Sequence, residues 1–551
     1  MKISINKFNT RSTDEKLYFA IFIAAFIKQF NDLLKGGSTY DLFEQWLGAG
    51  YIFLKIQAFL NLDFSNTIFS NNLNYYDYFG YVFMLPAYII ERIVNRLSYD
   101  ENNLPINEFA LYFSSEDSQT FFILHFCLII YSFICLHIIY RKLKLLFDSN
   151  YAVLFILIIL FVPSFTGHML FNIKDIPFLL NLFIAKLYIV ENFYYKNIDD
   201  LHFIDILKVS FIVTFSLLTR INSILFLIFL FLFISYVNRN NFRLFIKKIG
   251  TLNMSSFVLL ILFSPSAWPN PIHWLNETIL FQSNHPWTGE TLTNGEFISA
   301  NEMTGSYLIN WYFYKMPIFI HLFFLIFLIF LKKNKNFFEI YSFVFIVIVF
   351  LLFAFIKPTA YDGLRHFLFL IPFFIILCVS SLRQIMIINK NIYRIIILIF
   401  LIYGTYTQFG LNSYRYTYFN EFTDLQNVSI FCVDVDGCGD WPTDYWGFSG
   451  KELTDILNKK YSNINLLVCE PRHVFSEYLE TENFTRIEFK DVIGVNSFYT
   501  LSLHRPRQFD SSCEFHEANL KISCKQVDFV SREIRATRII MSYISKCSAE
   551  L

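Results

Sequence analysis

Long apolar segments constrain this chain more than any other feature of its sequence. A helix that crosses the hydrocarbon core of a membrane, about 30 Å thick, needs about 20 consecutive apolar residues. Eleven segments approach that length, several of them short: residues 17–33, 118–140, 149–166, 175–194, 203–219, 222–238, 252–267, 308–331, 338–357, 364–385 and 391–409. We therefore predict an α-helical polytopic membrane protein with about eleven transmembrane helices.

The composition agrees with a membrane protein and argues against nucleic acid as a partner. Of the 551 residues, 55% are hydrophobic and 16% are charged, whereas charged residues make up about a quarter of soluble domains. The formal net charge is zero, and no tract rich in Lys or Arg resembles a nucleic-acid-binding surface. Membrane lipids are the expected surroundings of this chain.

Basic residues concentrate in alternate loops, as the positive-inside rule describes for cytoplasmic loops. With the basic N-terminus inside, the inner loops include RKLK (141–144), NRNNFRLFIKK (238–248) and KKNK (332–335). The predicted outer loop 268–307 contains no Lys or Arg. This alternation requires residues 203–238 to form two short spans that turn near Arg220, because a single span would place the later basic loops outside. A single helix of that length would also be about 50 Å long, much longer than the hydrocarbon core is thick.

The predicted membrane domain covers residues 1–410, and its first outer loop, 34–117, contains apolar helices that suit the membrane interface. Residues 411–551 form a polar tail, which the loop count places outside. Strands are expected in NINLLVCE and RATRIIMSYI, and a helix in GKELTDILNKKY, so the tail predicts a small extracytoplasmic α/β domain. Six of the nine cysteines lie in it. That even number permits disulfides in an oxidising compartment, with free thiols as an equal alternative.

Polar residues suited to chemistry collect at the predicted outer helix ends. They lie in TYDLFEQW (Asp41, Glu44), GHMLFNIKDIPF (His168, Asn172, Lys174, Asp175), at Arg220, in the outer loop (His273, His285, Trp287) and in YDGLRH (Asp362, Arg365). Lys and Arg can hold the phosphate of a lipid-linked substrate, and a nearby carboxylate can deprotonate an incoming hydroxyl. Each residue alone could instead be an interfacial anchor, and Asp175 could simply cap the helix that begins near Pro177.

At these residues the sequence resembles the bacterial protein O-mannosyltransferase type of membrane glycosyltransferases, glycosyltransferase family 39 with the GT-C fold. The resemblance rests on GHMLFNIKDIPF, LLTRIN, PNPIHWLNETILFQSNHPWTGE, NGEFISANEM, YDGLRHFLFLIP, YRYTYFNEF and DYWGFSGKEL, in this order along the chain. It implies a catalytic first outer loop and a polyprenyl-phosphate-linked sugar donor. It further implies that the sugar is transferred, with inversion, to an acceptor hydroxyl on the outer face.

The resemblance also assigns roles to residues. Asp41 matches an acidic pair in the first outer loop of which the second member is replaced here by Leu42, so Glu44, one helical turn away, could substitute for it. Asp175 matches the second acidic site, and Arg365 matches a cation that holds the donor phosphate. We expect Asp41, Glu44 and Asp175 to be catalytic residues.

Further binding residues are expected around this centre. We expect Lys174, Arg365 and Arg220 to bind phosphate, and His168, Asn172, His273, His285, Trp287 and Asp362 to contact sugar or acceptor. Arg220 could instead snorkel, and the aromatic loop residues could be interfacial packing. A divalent metal between Asp41 and Asp175 is conceivable, but no spacing indicates zinc.

The favoured function is thus a glycosyltransferase in the bacterial inner membrane, with its catalytic face and tail outside. Two alternatives stay open: a transporter or flippase of a lipid-linked sugar, and a relative that binds glycolipid without catalysis, suggested by the altered acidic pair. Transporters place ionisable groups near the middle of the membrane, whereas these cluster at one set of helix ends. The sequence identifies neither the sugar nor the class of acceptor.

Overall fold

The computed structural model describes residues 12–62, 73–98, 118–283, 287, 289–334, 336–425, 440–504 and 521–550. Its helices in the first half of the chain are α1 (Ser12–Leu33), α2 (Leu42–Leu60), α3 (Met84–Ser98), α4 (Ser118–Leu146), α5 (Ser149–Leu160), α6 (Pro163–His168), α7 (Asp175–Ile189), α8 (Phe203–Thr219), α9 (Ser223–Val237) and α10 (Phe242–Leu262). Those that follow are α11 (Pro271–Ser283), α12 (Tyr307–Lys315), α13 (Ile318–Phe330), α14 (Phe337–Ile356), α15 (Ile371–Ile388), α16 (Lys390–Leu411), α17 (Gly450–Lys460) and α18 (His473–Ser476).

Helix is found in every one of the eleven predicted apolar segments, and the chain is a multi-pass helical membrane protein. The count of eleven spans is not confirmed. Among the described residues, six helices are long and apolar enough to cross a membrane: Gln119–Leu146, Asp175–Tyr195, Arg239–Leu262, Phe337–Ile356, Arg365–Ile388 and Lys390–Thr417. The bent pair Tyr307–Lys315 and Ile318–Lys333 would make a seventh.

Two breaks divide apolar segments into shorter helices. The helices on either side of Pro317 meet at 111°, because proline removes a backbone donor and its ring clashes with a continuing helix. The second break separates α8 from α9 at Arg220 to Asn222, as the loop charges predicted. It leaves Arg220 in an extended conformation, with φ −150° and ψ 122°, at the end of α8.

A buried polar network fixes the helices of the first outer loop. Glu91 on α3 accepts hydrogen bonds from Trp46 on α2 (3.1 Å), Asn95 (2.6 Å) and Thr120 on α4 (2.7 Å). The neighbouring Arg92 donates to the same carboxylate and stacks on the Trp46 ring. Because the network joins three helices and leaves neither carboxylate oxygen unsatisfied, it holds α2 and α3 in one arrangement.

The tail folds on a five-stranded sheet. After the short hairpin β1 (Glu290–Thr293) and β2 (Glu296–Ser299), the strands are β3 (Ile464–Val468), β4 (Phe484–Arg486), β5 (Phe498–Leu503), β6 (Lys521–Ile534) and β7 (Thr537–Glu550). The order in the sheet is β4-β3-β5-β7-β6, with β3 parallel to its two neighbours and the other pairs antiparallel. The predicted strands and the predicted helix, α17, are confirmed, as is the α/β character of the tail.

Disulfides occur in this sheet. Cys524 and Cys547 face each other on β6 and β7 and are disulfide-bonded. Cys469, which directly follows β3, is disulfide-bonded as well. Cys127, Cys135 and Cys378 in the helical region are free thiols. The sequence permitted disulfides in the tail but could not give their connectivity.

Candidate active site

Asp41 lies directly before α2, and its carboxylate pairs with Arg365. The Nη1 atom of Arg365 donates to Asp41 Oδ2 at 3.1 Å and lies 3.2 Å from Asp362 Oδ2. Asp362 and Gly363 have positive φ values of 53° and 72°, and this Asp-Gly turn brings the Asp362 carboxylate to the guanidinium of Arg365, three residues later. The Arg365 side chain is only 6% exposed.

Two aromatic rings hold the Arg365 guanidinium in place. Its centre lies 4.5 Å from the Tyr361 ring and 4.9 Å from the Trp446 ring. Trp287 stacks on Tyr361 with ring centroids 4.1 Å apart. A guanidinium between aromatic faces loses little freedom when it binds an anion, so Arg365 is suited to hold a phosphate.

A chain of hydrogen bonds runs from Tyr445 to Arg220 through the segment before α7. The Tyr445 hydroxyl lies 3.4 Å from His168 Nε2, and His168 Nδ1 accepts from Asn172 Nδ2 at 3.1 Å. Asn172 also donates to Asp175 Oδ2 at 3.0 Å, and Arg220 donates to Asp175 Oδ1. Burial lowers the pKa of His168 to about 3, and nearby Lys315 and Arg365 contribute. His168 is therefore neutral, and its ring accepts a hydrogen bond that orients Asn172. Its contact with sugar or acceptor stays a prediction.

Of the three cations predicted to bind phosphate, Lys174 alone has no carboxylate at ion-pair distance among the described residues. Its amine lies 4.5 Å from the centre of the Phe79 ring. Burial is the main reason why its pKa falls to about 8; Arg365 and Arg220 add to that shift, and Asp41 and Asp175 oppose it. A partly buried ammonium among two arginines is an unfavourable arrangement by itself, and an anion bound there would relieve it.

The three cations line one cavity of about 110 Å³. Lys174, Arg220 and Arg365 contribute to its wall together with Gln45, Tyr361 and His366. These residues come from the first outer loop, the segment before α7, the break between α8 and α9, and the segment before α15. The cavity therefore brings together the three residues predicted to bind phosphate, from positions up to almost 200 residues apart.

A second, apolar cavity of about 240 Å³ adjoins the first, and Phe79, Gly80 and Gln282 line both. Its walls come from the first outer loop, the outer ends of α8 and α10, and α11, and include Leu85, Phe215, Leu218, Leu260, Phe263 and Trp274. A Cβ atom on Gly80 would lie 1.3 Å from the Leu218 carbonyl oxygen. The first outer loop can approach the end of α8 at the junction of the cavities only because residue 80 is glycine.

The other predicted site residues lie nearer the rim or away from it. Glu44 is exposed and accepts a hydrogen bond from the Tyr76 hydroxyl at 3.0 Å. His273 is exposed on α11 and lines neither cavity, whereas Trp274 and Gln282 of the same helix do. His285 lies outside the described residues. The roles assigned to these residues stay predictions.

Sequence reasoning missed the contribution of the tail. Tyr445 and Trp446 reach His168 and Arg365 from the segment just before α17. Both residues lie in DYWGFSGKEL, one of the segments that carry the family resemblance. The resemblance gave this segment no role in the site.

The carboxylates do not form a metal site. Among the described residues, no group of three or more His, Cys, Asp or Glu side chains could hold a metal ion. Asp41 pairs with Arg365, and Asp175 pairs with Arg220. With each carboxylate already facing a guanidinium, this donor set does not fit a divalent cation.

Comparison with known families gives a match over part of the chain. Residues 113–268 match the family described as "Dolichyl-phosphate-mannose-protein mannosyltransferase". The matched region includes Lys174, Asp175 and Arg220, and it ends before Arg365. The match confirms the resemblance to these membrane glycosyltransferases. Among curated proteins, no sequence matches this chain.

Two solved structures are similar over most of their length. One is ArnT from Cupriavidus metallidurans bound to undecaprenyl phosphate, with a TM-score of 0.48, 9% sequence identity and coverage of 95% of this chain and 98% of that one. The other is the apo state of the same protein, with a TM-score of 0.46, 10% identity and coverage of 95% and 97%.

Proposed function

We propose that this chain is a polyprenyl-phosphate-dependent glycosyltransferase that transfers a sugar to an acceptor hydroxyl at the outer face of the membrane, with inversion. The observation that carries the proposal is the pair of adjoining cavities, one lined by Lys174, Arg220 and Arg365 and the other apolar. A ligand that fills both has an anionic group next to a long hydrocarbon. The name of the matching family describes a donor of this class.

In the proposed mechanism, Asp41 is the general base. Its carboxylate takes the proton of the acceptor hydroxyl while the acceptor oxygen attacks the anomeric carbon of the donor sugar. The bond from that carbon to the phosphate oxygen breaks on the opposite side, so configuration inverts. The leaving polyprenyl phosphate keeps both electrons of the broken bond.

The cations stabilise this leaving group. Charge grows on the phosphate as the bond breaks, and fixed cations in a site shielded from water stabilise it more than water would. Arg365 serves both parts of the site, because the guanidinium that contacts Asp41 also lines the phosphate cavity. Asp175 orients Arg220 as a supporting carboxylate.

The proposed outer location is supported from two directions. Tyr445 and Trp446 of the tail contact the site, so the site and the tail share one side of the membrane. The tail contains the disulfide Cys524–Cys547, and disulfides persist in oxidising compartments outside the cytoplasm.

The proposal is tested with the full chain in lipid nanodiscs, radiolabelled polyprenyl-phosphate sugars and an extract that supplies acceptors. Wild type is compared with Asp41→Asn, Lys174→Met and the control Lys459→Met on an exposed face of α17. We expect Asp41→Asn to lower turnover at least about 100-fold and Lys174→Met to raise the donor KM. Unchanged turnover in Asp41→Asn would exclude this base. Donor binding without transfer by wild type would favour a transporter or a non-catalytic lipid-binding protein.

A further inference from the structure

We propose that the tail acts as a clamp on the segment that carries Asp41, and that His473 and Tyr478 are positioning residues for this carboxylate. The inference rests on the proposed function, in which Asp41 is the base. His473 and Tyr478 contact neither the donor nor the reacting atoms and act only through the segment before Asp41.

Four consecutive residues before Asp41 each form a hydrogen bond with the tail. The amides of Gly37 and Tyr40 donate to the carbonyl oxygens of Phe448 (3.0 Å) and Trp446 (2.9 Å). The Ser38 amide donates to the Tyr478 hydroxyl at 2.9 Å, and His473 Nε2 donates to the Thr39 carbonyl at 3.2 Å.

The segment has no regular structure of its own that could replace these bonds. It lies between the end of α1 at Leu33 and the start of α2 at Leu42, and residues 36–39 are neither helix nor strand. Ser38 and Thr39 are nevertheless buried, at 0% and 1% exposure. A buried backbone that lost its partners would leave polar groups unsatisfied, so the tail determines where this segment lies.

Close packing accompanies the hydrogen bonds. A Cβ atom on Gly36 would lie 1.9 Å from the Phe448 ring, so glycine is what allows the segment to approach this ring. The ring of His473 packs near Tyr40 and Phe43, with centroids 6.4 and 6.5 Å away.

Trp446 connects the clamp to the reacting groups. Its carbonyl oxygen accepts from the amide of Tyr40, the residue before Asp41, and its ring lies against Arg365. Arg365 in turn donates to the Asp41 carboxylate. The backbone and the side chain of Asp41 are therefore both positioned through one residue of the tail. A displacement of about 1 Å at a reacting group can cost a large factor in rate.

Amide hydrogen exchange on the full chain in nanodiscs tests the clamp without any substrate. His473→Phe keeps an aromatic ring but removes the donor to Thr39, whereas His473→Gln places an amide donor at about the same reach. We expect exchange of the amides at 37–41 to rise about fivefold in His473→Phe and to stay near wild type in His473→Gln, because one hydrogen bond contributes about 1 kcal/mol. His202→Phe, at an exposed position before α8, serves as the control.

Tyr478→Phe is the second variant, because it removes only the oxygen that accepts from Ser38. If His473→Phe also speeds exchange in β5 and β7, the whole tail has loosened. In that case the exchange of Tyr478→Phe decides whether the clamp exists. Faster exchange in Tyr478→Phe that is confined to the amides at 37–41 supports the clamp. Wild-type exchange at 37–41 in both Tyr478→Phe and His473→Phe overturns it.

Kinetics separate positioning from a merely structural role. A displaced base lowers kcat and leaves the donor KM unchanged, since the phosphate cavity is intact, and His473→Gln restores kcat. An equal rise of KM in both His473 variants would contradict the proposal. If wild type transfers no sugar from any donor, the proposed function fails, while hydrogen exchange still decides whether the clamp exists.

Discussion

At the scale of single residues, Lys174 gives the site a pH dependence. Its pKa of about 8 means that the amine loses its charge as the pH rises from 7 to 9. The phosphate of a polyprenyl phosphate is already fully ionised above pH 7, since its second pKa is about 6. Any loss of affinity in this range therefore comes from the protein.

We predict that the Kd for polyprenyl phosphate rises about fivefold to tenfold between pH 7 and pH 9, because one charged contact to the phosphate weakens. Lys174→Arg keeps its charge throughout this range and is expected to abolish the alkaline loss. Equilibrium binding to the full chain in nanodiscs at fixed ionic strength measures both. An equal alkaline loss in wild type and Lys174→Arg would rule out Lys174 as the titrating group.

At this scale, the sequence predicted the charged residues of the site better than the aromatic ones. Lys174 and Arg220 were predicted to bind phosphate from their charge and place at helix ends, and Arg365 from the family resemblance; the three line one cavity. Asp41 and Arg365, 324 positions apart, were both predicted and are in contact. Tyr445, 277 positions from His168, was missed. Neither composition nor periodicity indicates which aromatic residue of a distant domain will fill a gap.

At the scale of elements, the junction of the two cavities depends on a contact between the first outer loop and the end of α8. Gly80 faces the carbonyl oxygen of Leu218 so closely that any side chain would force the two apart. Gly80 lines both the apolar cavity and the phosphate cavity, which is the one lined by Lys174, Arg220 and Arg365. The contact between Gly80 and Leu218 therefore sets the distance between the two cavities.

We predict that Gly80→Ala raises the donor KM at least about tenfold, because the loop shifts and the two cavities no longer fit one ligand. Stability falls by about 1–3 kcal/mol, as for other overpacked sites. The matched control is Gly250→Ala in α10, where no atom lies within 4 Å of the added Cβ and helix propensity predicts a slight stabilisation. Donor titrations and thermal unfolding of both variants in nanodiscs provide the measurements. Equal donor KM values in the two would contradict the prediction.

The helices themselves were largely predictable, whereas the number that cross the membrane was not. Apolar runs specified helix in all eleven segments, and the charge pattern located the break at Arg220. Helices such as Ser149–Leu160 and Ser223–Val237 are shorter than a membrane span requires. Whether a short helix crosses depends on its neighbours and on local membrane thickness, which a hydropathy pattern does not contain.

At the scale of the whole molecule, the class of acceptor depends on the side of the membrane on which the site lies. The site and the disulfide-bonded tail lie together, and we propose that the basic loops lie on the opposite face of the membrane. A donor carried on a lipid reaches the site from within the membrane, but the acceptor must come from the compartment that contains the tail. The side of the membrane therefore decides which acceptors are available and leaves the chemistry of the site unchanged.

We predict that a membrane-impermeant maleimide labels Lys459→Cys in intact cells, because this position is exposed on α17 of the tail. Lys332→Cys, exposed in a basic loop after α13, is expected to react only after permeabilisation. The wild-type chain gives the background from its own cysteines. Labelling of Lys332→Cys but not Lys459→Cys in intact cells would place the tail, and with it Asp41 and the phosphate cavity, in the cytoplasm. In that case the acceptor would have to be a cytoplasmic hydroxyl, although the same cations would still hold the phosphate.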